Sequence, residues 1–160
     1  MTWTEQPDTC SCVLLRLEER RFALAADQVA ELAAPGRIFR FAHRTPEIEG
    51  VILRRGRVVP VCDISEKLTG KRLGQRRFYL IATRRHESTL DWIALPVSGE
   101  CELIQADLTP AGASDSPHVS GWLSHNGEVI ELLNLKNLTP SGLPPSQPQV
   151  VAPVSPEVRA

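Results

Sequence analysis

The sequence predicts an all-β protein built as two small five-stranded barrels that share a core at their junction. Three observations carry this. The chain matches itself at an offset of 71: Glu31-Leu32 recurs as Glu102-Leu103, Pro46 as Pro117, Ile48 as Val119, Gly50 as Gly121 and Gly56 as Gly127. Val58-Val59-Pro60-Val61-Cys62-Asp63-Ile64 recurs as Val129-Ile130-Glu131-Leu132-Leu133-Asn134-Leu135, with no gap needed from Pro46 onward. Two copies of a unit make a duplicated subdomain, not a solenoid. Within each copy the apolar residues come in short runs bounded by turn residues. Finally, 42 % of residues are hydrophobic but only 5 % aromatic, so the core must be aliphatic. Short strands leave exposed edges unless a barrel closes them. A single unit of this size buries little surface, which is why the two are expected to pack together.

Taken in order, Val13 to Leu17 and Arg21 to Ala25 flank a turn at Glu18 to Arg20 and read as a hairpin. The second copy offers Phe78 to Thr83, a longer turn from Arg84 to Leu90, and Asp91 to Val97. Gly56 separates Val51-Ile52-Leu53 from Val58-Val59-Pro60-Val61 and supplies the positive backbone angle of a tight turn; Gly127, after His125-Asn126, does the same later. Pro60 removes one ladder donor, which predicts an exposed edge or a bulge at that point. Ile64 to Thr69 reads as a short helix closed by Gly70, with Leu135 to Leu138 as its abbreviated counterpart. Residues 1–12 read as a polar lead-in. Residues 13–139 form the β domain, two interleaved β-barrel subdomains of roughly 13–75 and 76–139. Residues 140–160 hold six prolines and no periodic apolar pattern and read as a disordered tail with no specific role.

Composition excludes several function classes. The net charge of -1 gives no overall case for nucleic-acid binding. The charge is nonetheless segregated. Residues 13–85 carry 16 Lys+Arg and 8 Asp+Glu, a balance of +8, while the remainder carry 2 and 11, a balance of -9. Such asymmetry predicts a dipolar molecule that associates in an oriented way. No apolar run approaches the roughly 20 residues of a membrane span, and no signal peptide is evident. The four cysteines, at 10, 12, 62 and 101, are too few for a disulfide framework and fit a reducing compartment.

The motifs of phosphate, dinucleotide and acyl-transfer chemistry are missing. His43, His86, His118 and His125 fall in loops or at their borders, and none has the spacing of a zinc helix. Cys10-Ser11-Cys12 is the one close thiol pair, while Cys62 and Cys101 read as small apolar strand residues. The expectation is a protein without catalytic residues, metal or cofactor.

The segments Arg21-Phe22-Ala23-Leu24, Val29-Ala30-Glu31-Leu32, Pro46 to Ile52 and Arg55 to Ile64 resemble the CheW-type coupling proteins of bacterial chemotaxis. In the second half Val119-Ser120-Gly121 and Glu128 to Leu138 are similar to that family's closing strands and last helical turn. The resemblance covers about residues 13–138 and is most specific from Gly50 to Ile64. It implies two SH3-like barrels around a hydrophobic junction. It also implies a non-enzymatic, cytoplasmic adaptor recruited to membrane receptor arrays. Such an adaptor bridges the cytoplasmic tips of methyl-accepting receptors to the regulatory domain of a CheA-type histidine kinase and meets other CheW-like domains.

By the same resemblance, Glu31 and Arg55 match the family's acid and arginine and are expected to pair, holding the receptor-facing edge of the first barrel. Val29, Gly50 and Gly56 match positions of receptor and kinase contact. A plainer reading stands beside each: the glycines as turn residues, Val29 as core, and Glu31–Arg55 as a structural salt bridge contributing about 0–1 kcal/mol if exposed. The chain departs from the family's usual Gly-Val-Ile-Asn-Leu-Arg-Gly at Leu53 and Arg54, and from common aspartates at Leu95 and Asn134. The alternative function is a basic β-barrel that binds nucleic acid or another polyanion, which predicts a steep salt dependence.

Overall fold

The structure, a computed structural model, describes residues 8–40, 47–86 and 88–139. Among these residues ten strands, a 3-10 turn and two short helices follow one another. These are β1 (Asp8–Leu17), β2 (Arg20–Ala25), the 3-10 turn (Ala26–Gln28), β3 (Val29–Ala33), β4 (Ile48–Arg54), β5 (Arg57–Cys62) and α1 (Ser65–Thr69). Then come β6 (Phe78–His86), β7 (Thr89–Val97), β8 (Glu102–Pro110), β9 (Val119–His125), β10 (Glu128–Leu133) and α2 (Leu135–Leu138). β1-β2-β10-β9-β8 form a closed barrel, and β3-β6-β7-β5-β4 form a second five-stranded sheet. Each sheet therefore draws on both 13–75 and 76–139: the first hairpin of each repeat is exchanged into the other's sheet.

The repeat reaches the level of register. Ala23 pairs in parallel with Leu132 in the barrel, and Ala94 with Val61 in the sheet; adding 71 to Ala23 and Val61 gives Ala94 and Leu132. Ladder irregularities also correspond, one between Ile48 and Gly50 and one opposite it in sequence space between Leu132 and Leu133, facing Gly121 and Val119.

Strand β1 is buried on both faces. Cys12 and Leu14 point into the barrel with Ile104, Leu123, Ile130 and Leu132. Val13, Leu15 and Leu17 point the other way, into the junction with Phe22, Leu24, Leu80, Ile93 and Leu95. That is why Val13-Leu14-Leu15 reads as a continuous apolar run rather than an alternation. α1 and α2 close the junction through Leu68 and Leu138. They are also joined directly, Lys67 Nζ donating to the Leu138 carbonyl at 3.2 Å. Gly70 ends α1 at φ +82°. The interior of the second sheet holds Ile52, Val59, Val61, Tyr79, Ile81 and Ala94.

Three expectations need correction. β1 starts at Asp8, inside the stretch read as lead-in, because Asp8 to Ser11 pair with Leu108 to Gln105 of β8. The turn expected from Arg84 to Leu90 is shorter, since Arg84 pairs with Asp91 and His86 with Thr89. The guanidinium of Arg84 is buried beside Asp91 and Thr139, so a charged residue is held in strand where its type suggested a loop. Pro60 lies on an interior strand, not an edge. The ladder tolerates it because the opposite residue, Val51, spends both its N–H and its carbonyl on Phe39, at 2.9 and 2.8 Å. The predicted bulge is one residue away, opposite Val61 and Cys62.

The hairpin exchange also tempers the charge segregation. Arg20 and Arg21 sit in β2 beside β10, where Arg21 bonds Glu128 at 2.8 Å and Arg20 faces Glu131 at 3.6 Å. Counted by sheet, residues 8–25 and 102–133 carry 3 Lys+Arg and 8 Asp+Glu, a balance of -5, and residues 26–101 carry 13 and 9, a balance of +4. The molecule remains two-ended, with about half the contrast of the linear sequence. The tail expected at 140–160, the remainder of the lead-in, Pro46 and His43 lie outside the described residues.

Candidate partner-binding edge

In the barrel, β8 runs on to pair with β9 over four positions, from Asp107↔Ser124 to Pro110↔Gly121. The equivalent seam in the second sheet lies between β3 and β4, and among the described residues no ladder joins these two strands. β3 ends at Ala33, and Pro35-Gly36 follow, where proline has no N–H to give a ladder. Among the described residues the seam keeps the single bridge Phe39↔Val51. Gly50 is required beneath that bridge: a Cβ there would stand 2.6 Å from the Phe39 carbonyl oxygen. Gly121 occupies the same place in the barrel, where a Cβ would meet Leu108 at 2.6 Å and the Thr109 carbonyl oxygen at 3.0 Å.

Side chains span the seam. Glu31 of β3 accepts bonds on Oε1 from Arg54 Nε at 2.8 Å and Nη2 at 2.5 Å, and on Oε2 from Arg55 Nε at 2.9 Å. Glu31 pairs across β3–β6 with Ile81, and Arg54 lies two residues beyond Ile52 on β4. Ile81 and Ile52 both face the sheet's interior, so strand periodicity sets the acid and Arg54 on the same face. The hydrogen bonds from Arg54, then those from Arg55, hold the Glu31 carboxyl below its ordinary value of 4.5. The Glu31 side chain is 16 % exposed, Arg54 40 % and Arg55 73 %.

Arg55 and Gly56 form the β4–β5 turn with φ of +53° and +74°. Two consecutive positive angles define the hairpin turn that favours Asn-Gly, and the other repeat has Asn126 and Gly127 there, at +51° and +79°. An arginine in the left-handed region carries a local cost of about 1 kcal/mol. Here it brings Nε onto Glu31.

Of the residues singled out from sequence, Glu31, Arg55 and Gly56 come together at this seam. Val29 opens the same strand, pairs with Ala82, and lines a groove of about 690 Å³ with Asp27, Thr83, Arg85 and Leu90. Gly50 does not join them; it lies toward the other end of β4 under Phe39. Sequence reading missed Arg54, which it noted only as a departure; the period-2 alternation from Ile52 is the signal that would have found it. It also missed Arg57, stacked 4.7 Å over the Trp92 ring at the same end of the sheet. The second departure, Leu53, is 60 % exposed on the outer face of β4. Leu95 belongs to the junction core, cross-strand from Leu80.

A second ion cluster, not anticipated, ties the link between α1 and β6 to β4. Arg76 bonds Glu49 at 2.5 and 2.9 Å and Asp63 at 2.9 Å, and Arg72 also bonds Glu49. Asp63 Oδ1 accepts from the Ser65 N–H at 2.9 Å just ahead of α1, and Asn134 caps α2 by accepting from the Lys136 N–H at 3.1 Å. Burial pushes the Cys62 thiol up to about 12 and Cys101 up to about 11, away from nucleophilic activation. Among the described residues no three His, Cys, Asp or Glu side chains converge as metal ligands, and no helix is long and apolar enough to cross a membrane.

Comparison with known proteins identifies the fold and the family. No curated protein sequence matches the chain. The fold is that of the scaffolding protein TtCheW from Thermoanaerobacter tengcongensis, whose crystal structure superposes with a TM-score of 0.67 at 22 % identity, covering 83 % of this chain and 92 % of that one. The CheW-like domain family matches residues 11–142, a span that takes in both sheets, both helices and the seam, and the chain belongs to that family.

Proposed function

We propose that the protein is a non-enzymatic signalling adaptor that couples the cytoplasmic tips of methyl-accepting receptors to the regulatory domain of a CheA-type histidine kinase. On this reading it resides in the cytoplasm, is recruited to membrane receptor arrays, and meets other CheW-like domains there. Family membership supports the scaffold role. The observation that carries the site is the β3–β4 seam, held among the described residues by Glu31 with Arg54 and Arg55 rather than by a ladder. An edge fixed by side chains presents a defined surface while leaving backbone unladdered beside it. Val29 and its groove continue that surface along β3, and the Arg55-Gly56 turn marks its end. Gly50 serves indirectly, by letting the Phe39 segment lie over β4.

The mechanism is geometric. The adaptor supplies no bond chemistry; it holds the kinase domain against the receptor, so that a change in one biases the other. The polyanion alternative is weakened by how the arginines are spent. Arg54 and Arg55 are committed to Glu31, Arg72 and Arg76 to Glu49, Arg37 to the Phe39 ring and Arg57 to Trp92. Binding to an isolated CheA-type regulatory domain, measured by calorimetry, tests the proposal. Saturable binding at micromolar concentration is expected. No heat at several hundred micromolar, together with a salt-sensitive gel shift on nucleic acid, would overturn it in favour of the alternative.

A further inference from the structure

Cys10 and Cys12 both face the interior of the barrel wall from β1, with their sulfurs 2.9 Å apart. Cys12 is fully buried among Leu14, Ile104 and Leu123, while Cys10 is half-buried at the margin of that cluster. Ser11 between them points outward and accepts a bond from Gln105 at 3.1 Å. The adaptor role has no use for this pair, and it lies in the other sheet from the seam.

We propose that Cys10 and Cys12 form a reversible intrachain disulfide in response to a hydroperoxide, making the β1–β8 wall a redox-sensitive element. The more exposed Cys10 reacts first. Its thiolate attacks the distal peroxide oxygen, the O–O bond breaks, and the departing oxygen is protonated, leaving a sulfenic acid on Cys10. Cys12 Sγ then attacks Cys10 Sγ. The S–O bond breaks, and hydroxide leaves with the Cys12 proton as water. Two thiols have given two electrons to one peroxide.

The strand makes this bond easy to reverse. Residues two apart in extended chain have Cα atoms about 6.4–6.8 Å apart, at the upper limit a disulfide spans. Closing the bond must shorten β1 locally and pull at the pairs Cys10↔Ala106 and Cys12↔Ile104. Strained disulfides are the readily reduced ones. Burial, with the Cys10 sulfur beside it, holds the Cys12 thiol up at about 12, which leaves the reaction with peroxide to Cys10.

The test uses the full chain and hydrogen peroxide. Free thiols counted under denaturing conditions should fall from the four of the sequence to two, with a mass loss of about 2 Da, both restored by dithiothreitol. Peptide mapping should join Cys10 to Cys12, and amide exchange should quicken over Gln105 to Leu108. Cys10→Ser, which alters the more exposed thiol and spares the core, should abolish the mass loss. Persistence of all four thiols, a bridge to Cys62 or Cys101, or the same mass loss in Cys10→Ser would each overturn the proposal.

Discussion

Replacing Glu31 with alanine separates a docking role for the seam from a merely structural one. The substitution removes the acceptor of three charge-assisted hydrogen bonds, from Arg54 twice and from Arg55 once. In a dry interior, breaking such a set would cost about 3–5 kcal/mol. The cations here reach water, Arg55 at 73 % and Arg54 at 40 % exposure. Solvent screens the pairs, and freed guanidiniums rehydrate, so each pair is worth roughly 0–1 kcal/mol. The expected loss is therefore about 1 kcal/mol in all, a drop in Tm of roughly 2–6 °C. Partner binding should fall by about tenfold or more, because the side chains that define the edge lose their common anchor. Chemical denaturation and titration with the kinase regulatory domain read the two effects separately. A stability loss above about 3 kcal/mol would show that the cluster is a buried keystone and refute the screening argument. Unchanged binding with the small stability loss would refute the docking role.

Further outcomes follow from the same geometry. Because the Glu31 carboxyl is held below its ordinary value of 4.5, its stabilising contribution is fully present above that pH and is lost as pH falls through the lower, folded-state value. The stability difference between wild type and Glu31→Gln, measured by urea titration, should be constant at neutral pH and shrink in acid below about 4.5; a difference that grows in acid would contradict the assignment. Arg76→Ala should be far more damaging than Glu31→Ala, by roughly 3–5 kcal/mol, since it strips partners from Glu49 and Asp63, whose side chains are 9 % and 6 % exposed; equal losses would show that burial does not rank these clusters. Gly50→Ala should cost about 1–3 kcal/mol and Gly121→Ala less, because a Cβ meets backbone oxygen nearest in the first case and the mobile end of Leu108 in the second. Arg55→Gly relieves a left-handed arginine at φ +53°, so it should leave thermal stability nearly unchanged while weakening partner binding; a large fall in Tm would make Arg55 chiefly structural.

The duplication was the most legible feature of the chain, because register repeats with sequence. Residues at the offset of 71 occupy equivalent ladder positions, and both tight turns fall where glycine announced them. What the sequence concealed was long-range partnership. The expectation of interleaved subdomains did not say which strands cross between them; the first hairpin of each repeat completes the other's sheet. Arg84 looked like a loop residue because its type favours water; Asp91 and Thr139 make its burial tolerable, and Thr139 lies 55 positions away. Arg76 with Glu49 is a similar case. At the candidate site, resemblance marked Glu31 and Arg55, and the structure brings them to hydrogen-bonding distance. Arg54 departs from the family pattern, while the alternation from Ile52 aims it at the same face as Glu31. Gly50, expected as a contact residue, sits beneath the Phe39 segment that crosses above it.

The most direct measurement is the affinity of a CheA-type regulatory domain for wild type and for Arg55→Glu, with thermal stability recorded on the same samples. The account predicts that Arg55→Glu binds at least tenfold more weakly while its Tm stays within a few degrees of wild type, since the exposed arginine holds the edge but little of the fold. Equal affinities would contradict the placement of the docking edge at the β3–β4 seam.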